Sequence, residues 1–490
     1  MTAGGGGRQG ERADGRGPLR VHAAFAGCKV SQADSEAVLA VLAARGCLAV
    51  RDPARADVQV VLTCGVTGEA ERSSRQLARR LAAHGRPVVV AGCAAALRPG
   101  QFAEPGLTLA TGVAGQAAGI REIADRVLAA PGAAPRGAGV APYAASAAPH
   151  AASGVRLASG ARPAAGDVPS APAFAGVATR DAPAPATAAL LVGARERTRF
   201  TLKVQDGCAG RCSYCAVRLA RGAPWSIAAR DAVAQARGAV AAGCGEIVLS
   251  GIDVGAYRDP ESGADLAALV GRLTALPGLV RLRLSSIEPG HLTAALIAAL
   301  DHPLVARHLH VPLQSGDDAV LAAMGRPYSW REYRAALAAA REGLPGLAVS
   351  TDLIVGFPGE DDAAFGRSLA AIAPPGGLFA RVHVFAFSAR AGTPAAALAA
   401  PPAATVKARA GLARAAAAAA RSAAAAAALG AGAEVLLEEC RDRAWRGYSS
   451  TYVRYYLEGE GARGGMVEAV GDELYRDGLK GRIVARRRTE

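Results

Sequence analysis

Three of the nine cysteines in this 490-residue chain fall in one short stretch, "QDGCAGRCSYC". Cys208, Cys212 and Cys215 make a C-x3-C-x2-C pattern there. Thiolates bind iron–sulfur clusters and zinc alike. Three in one loop can hold three irons of a cubane and leave the fourth iron open. A structural zinc site is normally closed by a fourth ligand, and no His or Cys follows Cys215 at zinc-ribbon spacing. A cluster is therefore the expected occupant, and zinc the alternative.

Three further cysteines share a different setting. Cys28 in "AFAGCKVSQADSE", Cys64 in "VVLTCGVT" and Cys93 in "VVVAGCAA" each close an apolar run and open a loop. Free cysteine is a common core residue, so three buried thiols are one reading. Cys47, Cys244 and Cys440 occupy no such strand-to-loop position, which favours the other reading, a second metal site assembled from distant residues.

The elements that must position these thiols follow from periodicity. "VHAAFAGC", "VQVVLTC" and "PVVVAGC" read as strands. The helices "SEAVLAVLAARG" and "EAERSSRQLARRLAAHG" separate them, and a short polar turn follows the third. This order predicts a doubly wound parallel α/β domain over residues 19–128. In such open sheets ligands bind in the crevice at the carboxyl ends of the strands, which is where all three thiols would meet. From Arg199 the alternation resumes through "FTLKVQDGC", "EIVLSGID", "VRLRLSSIEP", "HLHVPLQSG", "LAVSTDLIVGFPGE" and "RVHVFAFSARAGT". Six parallel strands with crossover helices predict a (β/α)6 partial TIM barrel over 194–429, with function at the C-terminal strand ends. An alanine-rich helix from Arg414 ends it at Gly430, and residues 430–490 read as a small antiparallel β-barrel. Residues 1–18 are expected to be a disordered tail, and 129–193, rich in Ala, Pro, Gly and Ser without periodicity, a flexible linker.

The formal net charge of +14 favours a polyanionic partner, with nucleic acid first. No apolar run approaches the ~18 residues that span a bilayer, and no apolar segment follows the Arg/Gly-rich start. The expectation is a cytoplasmic protein with no membrane partner. An odd number of cysteines in such a chain points to ligation or catalysis rather than a disulfide framework. Near the C-terminus Arg441, Arg443, Trp445, Arg446, Tyr448, Tyr452, Arg454, Tyr455 and Tyr456 interleave. Aromatics there can stack on unpaired bases while arginines meet phosphates, although about half must be strand core. "GRIVARRRTE" is a further basic foot or simply solvated charge.

A C-x3-C-x2-C loop after the first strand of a β/α barrel resembles the radical S-adenosylmethionine superfamily. "GCKVSQADSE", "TCGVTGEAERSSR" and "GCAA" resemble the N-terminal domain of the methylthiotransferases. "EIVLSGIDVGAY", "RLRLSSIEP", "HLHVPLQSGDDAVLAAMGRPY", "STDLIVGFPGE" and "HVFAFSARAGTPAA" follow in that family's order. The match leaves out only the N-terminus and the linker, and the segment from about Gly430 is similar to a TRAM domain.

The resemblance implies two [4Fe-4S] clusters. One, on Cys208, Cys212 and Cys215, would bind S-adenosylmethionine and cleave it to a 5′-deoxyadenosyl radical. The other, on Cys28, Cys64 and Cys93, would donate or carry sulfur, and a second S-adenosylmethionine would supply a methyl group. Gly251 would wrap the methionine end of the ligand, unless it is a plain strand-ending turn. Gln314 and Ser315 would line the same pocket. An electron donor such as a flavodoxin or ferredoxin is implied, as is the anticodon stem-loop of a tRNA. "CKVSQ" resembles the branch acting on N6-threonylcarbamoyladenosine beside the anticodon. The isopentenyladenosine branch has a CQMN-like stretch and the ribosomal-protein aspartate branch a CPKN-like one. A non-catalytic zinc- and RNA-binding protein is the alternative outside the family.

Thr63, Ser31, Arg218 and Trp225 depart from the family's usual residues. Asp352, Glu360 and Arg390 sit at barrel strand ends, and His308, His310 and His383 read as core histidines.

Overall fold

The computed structural model describes residues 17–110, 117–130, 198–374 and 378–486. All but the edges of the expected tail and linker, and the last residues of the basic C-terminus, lie outside them.

The first domain is a parallel sheet of β1 (Arg20–Phe25), β2 (Leu48–Ala49), β3 (Val58–Thr63), β4 (Val88–Gly92) and β5 (Leu107–Leu109), in the order β2-β1-β3-β4-β5. Its helices are α1 (Lys29–Ala44), α2 (Gly68–Ala82), α3 (Cys93–Leu97) and α4 (Ala117–Leu128). Val38 and Leu42 of α1 and Ile123 and Val127 of α4 cover Val21, Val58 and Val60 on one face. Ala78 and Leu81 of α2 and Ala94 and Ala95 of α3 cover Val61, Val88 and Val90 on the other. A strand buried on both faces reads as an unbroken apolar run, which is why β3 and β4 are legible in the sequence. The two- and three-residue edge strands β2 and β5 are too short to show a period, and they and α4 were not expected. Two boundaries also differ. Helix α1 begins at Lys29 rather than Ser35, and the expected polar turn after Cys93 is the helical turn α3, whose Cys93, Ala94 and Ala95 are buried.

The second domain opens with β6 (Arg199–Lys203) and the short hairpin β7 (Gln205–Asp206) and β8 (Trp225–Ser226). It continues with β9 (Glu246–Ser250), β10 (Leu282–Leu284), β11 (His308–His310), β12 (Ala348–Val355) and β13 (Arg381–Ala386). Its helices are α5 (Val217–Arg221), α6 (Ala229–Ala241), α7 (Leu266–Thr274), α8 (Ala294–Leu300), α9 (Asp318–Ala323), α10 (Trp330–Gly343), α11 (Asp362–Ile372) and α12 (Ala403–Ala426). Strands β6-β9-β10 and β11-β12-β13 form two parallel sheets joined by the parallel bridge Ser286–His310. The result is the expected six-strand arc, and no pairing closes β13 onto β6 among the described residues. Successive strand residues face opposite sides. Phe200, Leu202, Ile247, Leu249, Leu309 and Leu353 pack in the core with the helices. The alternate residues, among them Arg199, Lys203, Glu246, Arg283, His310 and Asp352, give the arc a polar concave face.

The last five strands, β14 (Gly432–Arg441), β15 (Ala444–Ser449), β16 (Arg454–Glu458), β17 (Met466–Tyr475) and β18 (Gly478–Arg486), form a closed barrel. Four of its pairs are antiparallel and β16–β18 is parallel. Its β15–β16 turn plugs the base of the β/α arc. Glu246, wholly buried at the start of β9, bonds Arg283 Nε at 3.0 Å and Arg281 Nε at 2.5 Å. The remaining guanidinium donors reach Tyr448 O at 3.2 Å, Ser449 O at 3.1 Å and Ser450 O at 3.1 Å. Tyr452 stacks between Tyr448 and His308. The expectation that about half of the interleaved aromatics are strand core and the rest free to stack on bases is corrected for Tyr448 and Tyr452. Tyr455 and Tyr456 are buried, and Tyr448 and Tyr452 are consumed in the joint between domains.

Burial disfavours the charge of Glu246, but Arg283, Arg281 and Arg199 outweigh it and hold its carboxyl well below the usual range. The stabilisation is fully present above the unfolded value near pH 4.3 and is lost as the pH falls below that. Glu246→Gln leaves buried arginines unanswered and is expected to cost about 3–5 kcal/mol at neutral pH. It should also flatten the fall in melting temperature between roughly pH 5 and 3, measured by scanning calorimetry. An unchanged acid limb would contradict this role.

Candidate functional site

Strand order reverses between β1 and β3, and in sheets of this order the crevice at that switch point is the binding site. Cys28 follows β1 and caps α1, Cys64 follows β3, and Cys93 follows β4 as the first residue of α3. Glycines permit the approach. Gly27 has φ +127°, and a Cβ there would lie 2.3 Å from Cys64 Cβ. Gly92 has φ +99°, and a Cβ there would lie 2.6 Å from Thr63 O. Thr63 ties the end of β3 to its neighbours, donating to Ala91 O at 2.7 Å and accepting from Ala95 N at 3.1 Å. The Ser31 hydroxyl lies 3.7 Å from Cys28 Sγ.

The three thiols are electrostatically unlike. Cys28 is exposed, whereas Cys64 and Cys93 are buried. The hydrogen bond from Cys64, aided by Ser31 and Arg221, holds the Cys28 thiol down to about 5. Its place at a helix N-terminus acts in the same direction. The same contact with Cys28, together with burial, pushes Cys64 up. Burial also raises Cys93, opposed by Arg221.

Arg221, at the end of α5, joins this crevice to the β/α arc. Its Nε donates to Cys93 Sγ at 3.2 Å, Nη2 to Asp34 at 2.7 Å and Nη1 to Asp206 at 2.8 Å. Lys203 answers the same two carboxylates at 2.5 and 3.1 Å. At the opposite edge of the arc, Arg390 after β13 pairs with Glu71 of α2 at 2.6 Å, both side chains buried. The first domain therefore straddles the gap between β6 and β13.

The Cys208–Cys215 loop leaves β7 through Gly207. Gly210 N lies 3.1 Å from Cys208 Sγ and Arg326 Nη1 lies 3.4 Å from Cys212 Sγ. Ser213 pins the loop through Ala323 O at 2.8 Å and Ala395 N at 2.8 Å. Burial pushes Cys215 up to about 11. Thiolates on a single tetrahedral zinc, with Zn–S near 2.3 Å, stand about 3.8 Å apart. Among the described residues only His310, Asp352 and His383 gather three ligand atoms within 4.8 Å. Three thiolates at each site are a donor set that suits an iron–sulfur cluster.

The other expected site residues divide. A Cβ on Gly251 would come within 2.9 Å of Gln205 Oε1, and Gln205 in turn holds Asp253 N at 2.8 Å and donates to Gly207 O at 2.9 Å. Gly251 thus packs against the residue that props the Cys208 loop. Gln314 stands at the rim of the arc in the left-handed region, φ +72°. Such a conformation in a non-glycine residue is sparsely populated and concentrates at functional sites. Ser315 is a correction: it is wholly buried, its hydroxyl committed to Ser368 at 3.1 Å and to Asp317 N at 3.2 Å, leaving no face to line a pocket.

Glu360 accepts from Gly356 N at 2.7 Å and from Arg409, a structural role. His308 is a buried core histidine bonded to Ser350. His310 and His383 instead flank Asp352, each at 3.2 Å, on the concave face. Sequence reasoning missed Asp253, Glu288 and Arg326. Glu288 and Arg326 form an ion pair beside Cys212, and the charges of Asp253 and Glu288 reach Cys208. Their motifs, "GIDVG", "SIEPG" and "GRPY", carried the signal without its meaning.

Two family models match the chain: the Radical SAM superfamily over residues 202–372 and the uncharacterized protein family UPF0004 over 20–110. The chain is 32% identical to the threonylcarbamoyladenosine tRNA methylthiotransferase MtaB of Bacillus subtilis, covering 76% of this chain and 74% of that one. It is 33% identical to the tRNA-2-methylthio-N(6)-dimethylallyladenosine synthase of Sorangium cellulosum, over 75% and 71%. It is 30% identical to a probable threonylcarbamoyladenosine tRNA methylthiotransferase of Pyrococcus horikoshii, over 77% and 79%. Fold and site define a radical S-adenosylmethionine enzyme. The chain belongs to the tRNA methylthiotransferase family, whose cofactors are S-adenosylmethionine and two [4Fe-4S] clusters.

In protein stripped of metal, the low value of Cys28 makes it a thiolate at neutral pH. Its alkylation rate should already be near its plateau at about pH 6.5, while an ordinary thiol still rises through about 8.5. Peptide mass spectrometry after timed labelling reads this out. A Cys28 rate that keeps climbing between roughly pH 7 and 9 would show that Cys64 does not stabilise the thiolate.

Proposed function

We propose that this enzyme adds a methylthio group at C2 of N6-threonylcarbamoyladenosine next to the anticodon of a tRNA. One observation supports this reading: Arg221, in the short segment between Cys215 and β8, bonds Cys93, so one side chain links the two thiol-bearing regions of the chain. Cys208, Cys212 and Cys215 would hold the cluster that binds S-adenosylmethionine, and Cys28, Cys64 and Cys93 the auxiliary cluster. When bound, these groups supply radical hydrogen abstraction, the sulfur and the methyl group. The chain's own part is placement. Asp34, Asp206, Lys203 and Arg221 fix the two triads relative to each other, and Arg326 sets the Cys212 side against Glu288. The concave face receives the base once it leaves its stack, as enzymes that modify bases require.

Exposed arginines of the small barrel, Arg441 and Arg443, would meet the RNA backbone. No helix among the described residues is long and apolar enough to cross a membrane. A cytoplasmic location, with a flavodoxin or ferredoxin as electron donor, fits this chemistry. The Sorangium relative, named for dimethylallyladenosine, supports that nucleoside as the second reading.

Mass spectrometry of nucleosides from a strain lacking the gene decides between them. Loss of 2-methylthio-N6-threonylcarbamoyladenosine supports the proposal, and loss of the dimethylallyl product alone supports the second reading. Cys28→Ala should still cleave S-adenosylmethionine under reduction but form no methylthio product. Loss of cleavage in protein whose Cys208 cluster is fully loaded would contradict the division of labour between the triads.

A further inference from the structure

His310, Asp352 and His383 gather on the concave face of the arc from three neighbouring parallel strands, β11, β12 and β13. Register sets Ser350 beside His310 and Asp352 beside His383. Strand residues two apart share a face, so these four side chains crowd one patch of it. His310 Nε2 stands 3.2 Å from Asp352 Oδ2 and His383 Nδ1 3.2 Å from Asp352 Oδ1, and the two rings stack at 5.5 Å. The patch lies above the plugged base. His310 is two residues nearer the C-terminal strand ends than His308, whose ring stacks on Tyr452. It is also open, the side chains of His310, Asp352 and His383 being 12%, 21% and 42% exposed.

Donor types and spacing are those of a metal site. Ligand atoms about 3.3 Å apart form the edges of a tetrahedron with bonds of about 2.0–2.1 Å, the usual lengths from zinc to imidazole and carboxylate. Both imidazole–carboxylate separations come close to that edge. All three ligand atoms lie within 4.8 Å of one another, and the exposed ring of His383 has room to close the third edge. A metal-bound histidine engages its other ring nitrogen as well, which fixes the tautomer. Ser350 serves His310 in this way. Its hydroxyl lies 2.9 Å from His310 Nδ1 and 2.9 Å from His308 Nε2, so it can accept from the first ring and donate to the second. His310 Nε2 then keeps a lone pair for the metal. Two imidazoles with one carboxylate suit zinc-like transition metals, whereas magnesium and calcium take oxygen ligands.

We propose that His310, Asp352 and His383 bind a divalent transition metal, at a site separate from both thiol triads. Three protein ligands leave a coordination position open, as in zinc sites that take up water or substrate. The metal would there anchor an oxygen of the molecule entering the arc. Such a site does not depend on which nucleoside the enzyme takes.

The test uses the full-length enzyme with both clusters loaded and oxidised, cleared of loose metal on a desalting column. Zinc uptake is measured by equilibrium dialysis with metal analysis, and its ligands by X-ray absorption at the zinc edge, which iron does not obscure. The wild-type protein is expected to take up about one zinc per chain, with a Kd below about 1 μM and a nitrogen–oxygen shell at about 2.0–2.1 Å. His383→Asn, at the most exposed position, should weaken uptake about 100-fold with cluster iron and melting temperature unchanged, and Ser350→Ala about 10-fold. Asp352→Asn, which keeps the side-chain shape, should match His383→Asn. No uptake at micromolar zinc overturns the proposal, as does uptake that His383→Asn and Asp352→Asn leave intact. A sulfur shell near about 2.3 Å would put the zinc on cysteine and overturn it equally.

Discussion

Asp34 and Asp206 come from different domains and are held together by Arg221 and Lys203 out of reach of bulk water. Burying carboxylates is costly unless each is paired and hydrogen-bonded, and here the planar fork of Arg221 meets both while its third nitrogen reaches Cys93. Everything in the candidate site inherits its geometry from this contact. It sets where α1 lies on β6, hence where Cys28 begins, and it spans the distance between the two thiol triads. Lysine could not substitute for Arg221, since a point charge offers no second and third directed donor.

The base of the arc repeats the device with the signs exchanged. There one carboxylate, Glu246, organises Arg281 and Arg283 so that their free donors cap the carbonyls of the β15–β16 turn. The small barrel is thereby fastened where the catalytic mouth is not. Its own core, Val435, Leu437, Tyr455 and Leu457, is independent of the arc. Charge rather than apolar area is the specific element at both junctions, and directed bonds fix orientation where apolar contact alone would permit sliding.

Much of this was legible in the residues. The continuous apolar runs of β3, β4 and β9 announce doubly covered parallel strands, and the cysteines that end three strands of one sheet must share an edge. The glycines beside Cys28 and Cys93 stood in the sequence too, but their necessity appears only when Cys64 and Thr63 are seen pressed against them. Other features have no local signature. Asp34 reads as an ordinary helix residue and Arg221 as a surface charge until packing brings them together across 187 positions of chain. Tyr448 and Tyr452 carry the composition of an RNA-stacking surface, and composition does not say which face of a strand meets another domain. Ser315 adjoins Gln314, yet one peptide unit turns a rim residue into a buried one.

The first domain is fastened to both edges of an unclosed arc, through Asp34 beside β6 and Glu71 beside β13. That has a mechanical consequence. Swinging this domain aside would strand carboxylates and guanidiniums on either rim at once, several kcal/mol apiece, so such openings are rare excursions. The enzyme therefore behaves as a rigid socket rather than a jaw. For a base that must leave its stack to reach this site, the cost of opening would then fall on the tRNA instead of the protein.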